Sequence, residues 1–255
     1  MPLHLRLLFP GLGLGMGLAL GFIQPIGVLA GVLLIALLLF AEKPLPEPLW
    51  WLLSLVFGVA LAAHLVPGFQ PWALWTPLRL SEDAPPYGLR LSWDKLLLGL
   101  TLFAWWLSQS HPLRQETGKA WGVALLTLLA VPLLALALGL VGWQPKWPDA
   151  QWLLLWLAIN LGVTVLAEEL LFRGLLQTRL VRWLGVWPGL LLTAVLFGAV
   201  HAPFSLLFAV IAGVAGLGYG LVFHYSGRLS WAIALHLAVN LLHLLLLSYP
   251  LRLPV

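Results

Sequence analysis

The sequence predicts an all-α, polytopic transmembrane helix bundle of about eight spans. Three observations carry that reading. Of 255 residues, 62% are hydrophobic and 9% charged, with a mean hydropathy of +1.00; a soluble domain carries about 25% charged residues. Leucine-rich runs of about 18 or more residues suit membrane helices and are too long for membrane strands. The 15 Trp, many near expected span ends, fit an interfacial aromatic belt.

The elements follow in order. Met1 to Phe40 reads as mature membrane-embedded chain, because its apolar run outlasts a signal peptide's h-region of about 7–15 residues. Within it, Gln24-Pro25 interrupts Leu12 to Phe40, since proline removes a backbone donor; one kinked span or a hairpin of two short helices both satisfy this. Glu42 to Pro48 is a proline-rich turn, and Leu49 to Val66 a span. Pro67 to Asp94 is a long polar connection, a length that suggests function or loose order. Leu96 to Leu107 opens a shorter span, Ser108 to Lys119 is a loop with His111, Arg114 and Glu116, and Ala120 to Val141 spans again. Gly142 to Asp149 is a Pro/Trp turn. Trp152 to Leu180 reads as one long helix, then Trp187 to Ala202, the glycine-rich Phe204 to His224 and Leu229 to Leu247. Small residues at Gly213, Gly216 and Gly220 allow close helix approach. The expected division is 1–150, N-terminal helices with a polar loop at 67–95, and 151–255, a catalytic helical core, within one integrated membrane domain.

The net charge of +4 and pI near 9.8 suit short loops facing anionic headgroups. No basic patch interleaved with aromatics occurs, so nucleic acid is not an expected partner; the lipid bilayer is. The absence of cysteine excludes disulfides, thiolate catalysis and Cys-ligated zinc.

Against this apolar background stand a few polar groups on three separate helices. Ionisable groups in spans are costly and mark functional candidates. Glu168 and Glu169 point about 100° apart on their helix. Arg173, four residues after Glu169, lies on the same face and can pair with it. That leaves Glu168 facing another helix as a candidate general base. His201 follows Phe197 by four residues, and His236 and Asn240 share one helix face. The latter pair has the spacing of two metal ligands and equally of two donors converging on an oxyanion. Each group alone has a plainer reading: an ion pair near a helix end, a packed histidine, an interhelical hydrogen bond. Together they supply what amide hydrolysis needs. His243 reads as packing, Tyr219 as core, and Asp94 and Lys95 as a water interface; His64 receives no role.

These residues resemble the CAAX prenyl protease and bacteriocin-processing (CPBP, or Abi) family of intramembrane proteases. The pattern Glu-Glu-x-x-x-Arg, Phe-x-x-x-His, His-x-x-x-Asn reads here as Glu168-Glu169 with Arg173, Phe197 with His201, and His236 with Asn240. The resemblance covers roughly Trp152 to Leu247. It implies an intramembrane endopeptidase in which Glu168 activates water with the help of His201, His236 and Asn240 stabilise the oxyanion, and Glu169, Arg173 and Phe197 shape the site. It also implies zinc as the usual cofactor, held by Glu168, His201 and His236; a metal-free glutamate mechanism uses the same side chains, and both stay open. The expected substrate is a membrane-associated peptide or protein, and the expected location a bacterial inner membrane. With a hairpin at residues 12–40, Lys and Arg divide eight (Arg6, Lys43, Arg114, Lys119, Arg173, Arg179, Arg182, Arg228) against five; with a single span they divide seven against six, and the positive-inside bias disappears. A transporter or a non-catalytic scaffold or immunity protein are the alternatives.

Overall fold

The structure, a computed structural model, describes residues 2–109 and 116–252; His111 and Arg114 lie outside them. The described residues are mainly helical, with almost no strand. Four helices are long and apolar enough to cross a membrane: Thr117–Ala137, Ala150–Leu184, Leu206–Ser226 and Leu229–Leu246. Four more apolar helices are shorter: Leu3–Ala19, Pro25–Leu39, Glu47–Ala62 and Val186–Ala199. The chain forms two compact units.

The first unit comprises Met1–Leu74, Arg90–Ser110 and Ala158–Leu176. It contains α1 (Leu3–Ala19), α2 (Pro25–Leu39), α3 (Glu47–Ala62) and α4 (Trp93–Trp106). Residues 12–40 therefore form two helices. Gly21 turns the chain at φ +78°, Gln24 is extended, and Pro25 occupies the first helical turn of α2, where its missing N–H costs nothing. α1, α2 and α3 all pack on α4, whose Leu97, Leu98, Thr101, Leu102 and Ala104 are buried. The stretch read as a short span is thus the unit's core helix. Within the long polar connection, β1 (Trp72–Ala73) pairs antiparallel with β2 (Arg90–Leu91), a strand pair that the sequence reading did not anticipate. Tryptophan is only partly a belt residue: Trp50 and Trp93 are fully buried here, and Trp152 and Trp156 in the second unit, while Trp121, Trp147 and Trp187 are exposed.

The second unit comprises Trp75–Leu89, His111–Leu157 and Gln177–Val255. It contains α5 (Thr117–Ala137), α7 (Val186–Ala199), α8 (Leu206–Ser226) and α9 (Leu229–Leu246), with α8 packed on the other three. Ser205 caps α8 by accepting the Phe208 N–H at 3.0 Å, and Gly227 ends it in the left-handed conformation at φ +66°, as glycine readily does. Gly198 lets α7 meet α8, since a Cβ there would lie 2.5 Å from the Ala209 carbonyl oxygen. Beyond α9, Ser248 Oγ donates to Asp83 Oδ2 at 2.7 Å. Lys146 Nζ donates to the Leu244 and Leu247 carbonyls at the end of α9. Burial pushes the Lys146 ammonium below its usual range, opposed by Asp83.

α6 (Ala150–Leu184) runs 35 residues, about 50 Å at helical rise against a hydrocarbon core of about 30 Å. It is not uniform. α-Helical stretches at Ala150–Ile159, Leu166–Glu169 and Thr178–Leu184 alternate with π-helix at Asn160–Val165 and Leu170–Gln177. π-Helical turns are rare and concentrate at functional sites.

Candidate active site

In the first unit the site is built on α4 and the middle of α6. Gly99 permits their approach, because a Cβ there would sit 3.4 Å from Ala167. One turn before Gly99, Lys95 directs Nζ to Glu168 Oε1 at 3.0 Å. Side-chain exposure is 17% for Lys95 and 10% for Glu168, so the pair sits largely out of water. Glu169 and Arg173 form the i,i+4 pair expected from spacing, Nη1 to Oε1 at 3.0 Å, with both side chains fully buried. Glu168 is therefore not the carboxylate left without a cation: each glutamate has its own. Asp94 does not mark a water interface either. It is 4% exposed, and its Oδ2 accepts from His64 Nδ1 at 2.7 Å.

The second unit gathers Phe197, His201, His236 and Asn240 around one pocket of about 630 Å³ of empty space, part of it open to the outside. Tyr219 and His243 share its wall, and the rest is mainly aliphatic. An apolar pocket with a few convergent polar groups is the usual form of a ligand site. His201 Nδ1 lies 2.7 Å from the Phe197 carbonyl oxygen. A carbonyl only accepts, so Nδ1 carries the proton, and in the neutral ring Nε2 keeps the lone pair. The His236 ring stacks on Tyr219, with centroids 4.6 Å apart and planes 17° apart. Phe197 meets it edge-on at 5.9 Å. Gly216 makes room for Phe197, since a Cβ would fall 2.8 Å from that ring. His243 donates Nε2–H to the Ser248 carbonyl at 2.9 Å, which gives it a structural bond as well as a place in the wall.

Residues 150–242 match the family model described as Rce1-like, type II CAAX prenyl endopeptidase Rce1-like. Over these residues the chain is similar to that family. All three motifs lie inside the Rce1-like segment, in agreement with the resemblance drawn from them, and the match points to the CAAX-type intramembrane endopeptidases. No curated protein and no solved structure matches the chain. Together, the apolar helices and the Rce1-like segment mark an integral membrane protein.

Lys95 and Tyr219 are the site residues that sequence reasoning assigned elsewhere. Lys95 lies outside the Rce1-like segment; only its placement as the lone cation in the first turns of an apolar helix could have flagged it. Among the described residues, no group of three or more His, Asp or Glu side chains gathers closely enough to hold a metal ion. Zinc thus finds no such ligand set among them.

Proposed function

We propose that the chain is an intramembrane endopeptidase that hydrolyses a peptide bond in a membrane-associated peptide or protein, with Glu168 as the base that activates water. What carries the reading is the pocket that brings His201, His236 and Asn240 together inside an Rce1-like segment. Glu168 takes a proton from water, and the hydroxide oxygen bonds to the scissile carbonyl carbon. His201 Nε2 accepts from the same water and orients it. The carbonyl oxygen becomes an oxyanion and accepts hydrogen bonds from the His236 imidazole and the Asn240 carboxamide, donors that act most strongly where water is excluded. The proton then passes from Glu168 to the amide nitrogen, the C–N bond breaks, and a carboxylic acid and an amine leave. This reaction requires Glu168 to reach the bond that the pocket holds.

Lys95 holds the Glu168 carboxylate through their ion pair, and Glu169 pairs with Arg173 on the helix that carries it. The mainly aliphatic pocket wall suits an apolar substrate segment. The eight apolar helices are assigned as spans of a bacterial inner membrane.

The test is cleavage of membrane-anchored peptides by the purified chain in liposomes, wild type against Glu168→Gln, with and without chelator. Cleavage that Glu168→Gln abolishes supports the assignment. Equal cleavage by both proteins removes Glu168 from the chemistry, and no cleavage with an unchanged cellular phenotype in Glu168→Gln turns the chain into a scaffold.

A further inference from the structure

A second pocket lies in the first unit, with Asp94, the chain neighbour of Lys95, in its wall. It has about 440 Å³ of empty space, and its polar wall consists of His64, Gln70, Arg90, Ser92 and Asp94. Phe69 and Trp93 supply its apolar side.

The walls are pinned by backbone bonds. The Gln24 N–H donates to the Gly68 carbonyl at 2.9 Å, and the Gln70 N–H to the Phe22 carbonyl at 2.8 Å. Arg90 is held in register opposite Ala73 by the β1–β2 pair. His64 has a left-handed backbone at φ 59°, which a residue with a Cβ adopts at a cost and which concentrates at functional positions.

The hydrogen-bond donors of the wall favour an anion. Asp94 is the one carboxylate in the wall, and both of its oxygens are engaged: Oδ2 by His64 Nδ1 and Oδ1 by the Lys95 N–H at 2.8 Å. Among the described residues, no hydrogen bond or ion pair engages the side chains of Arg90, Gln70 or Ser92. A permanent guanidinium charge, a carboxamide and a hydroxyl therefore line a cavity whose one carboxylate already has a donor on each oxygen. Arginine's fork matches phosphate oxygens.

The surroundings point to a lipid as the source of that phosphate. His64 comes just after α3, whose Leu52, Leu53 and Val56 are 50%, 43% and 59% exposed, an apolar face for acyl chains to lie along. Next to the polar wall, Leu65 is 73% exposed and Trp72 39%, as at the headgroup level of a bilayer. We propose that this pocket binds the phosphodiester headgroup of a membrane glycerophospholipid, with Arg90 as its principal contact and Gln70, Ser92 and His64 as further donors. The site is independent of the cleavage reading.

The test uses the full chain purified in detergent and titrated with phosphatidylglycerol, with retained lipid read by native mass spectrometry. The wild type should hold one tightly bound lipid. Arg90→Gln should weaken it about tenfold or more, the scale of a hydrogen bond to a charged group. Arg90→Lys should keep most of the affinity, and Arg79→Gln, in the neighbouring loop, all of it. Gln70→Leu gives a second reading should Arg90→Gln fail to fold. Equal retention by wild type, Arg90→Gln and Gln70→Leu would overturn the proposal. Displacement of the lipid by excess inorganic phosphate would overturn the lipid source and assign a free phosphate. Arg90-dependent capture of a free-carboxylate peptide, but not of its amidated form or of the lipid, would replace the phosphate altogether.

Discussion

Lys95 Nζ and Glu168 Oε1 stand 3.0 Å apart, so a lysine from the core helix of the first unit holds the carboxylate proposed to activate water. Removing the cation takes away an ion-pair partner that holds this largely buried carboxylate in place. Lys95→Met should lower kcat about tenfold or more with little change in KM, and Lys95→Arg should recover most of it. Single-turnover cleavage measures both. Equal kcat for Lys95→Met and wild type would reduce Lys95 to a packing residue.

The Glu169–Arg173 pair predicts a stability effect. Both side chains are fully buried, and breaking such a pair from one side costs about 3–5 kcal/mol. Arg173→Met should lower the unfolding midpoint in detergent sharply, whereas Glu169→Gln with Arg173→Met should lose less than the two single losses added. A purely additive cycle would show that the two side chains do not interact.

His201 allows its two nitrogens to be separated. An asparagine at this position can still donate to the Phe197 carbonyl but has nothing in the place of Nε2. His201→Asn should therefore retain near-wild-type thermal stability and lose about 10²-fold or more in kcat, the lower range of acid–base contributions. Activity close to wild type in His201→Asn would take the ring out of the reaction.

Two glycines give opposite outcomes for the same added methyl. Gly216→Ala places a Cβ 2.8 Å from the Phe197 ring, which should cost about 1–3 kcal/mol and disturb the His236 contact, lowering cleavage. Gly122→Ala meets nothing within 4 Å and should leave stability unchanged or slightly raised through helix propensity. Paired melting curves and cleavage assays check this contrast.

The side-chain mechanism also predicts that chelation leaves cleavage intact. Loss of activity in chelator, restored by zinc, would transfer water activation to a metal ion.

What the sequence made legible is what lies along one helix. The Glu169–Arg173 pair, the shared face of His236 and Asn240, and the extents of most helices follow from a local period. Lys95 with Glu168 depends on which turns of two different helices come level, and Tyr219 against His236 on how far glycines let α8 approach its neighbours. Neither is set by spacing within a segment. The two-residue strands carry no periodic signal, and α4 escaped recognition as a core helix because burial on all sides and immersion in lipid select the same apolar composition. The π-turns were invisible for a related reason: their apolar residues do not reveal whether a carbonyl bonds four or five positions ahead.

Those wide turns make the azimuth of Glu168 depend on chain length. Each holds one residue more than a tight turn would. Deleting a single residue between 160 and 165 would let that stretch wind up as ordinary α-helix and would swing everything after it by roughly 100°. The glutamate would then sweep past its lysine, with the composition of the helix almost unchanged. The stretch before the acidic pair thus works as a length gauge, more sensitive to one residue lost than to most residues exchanged.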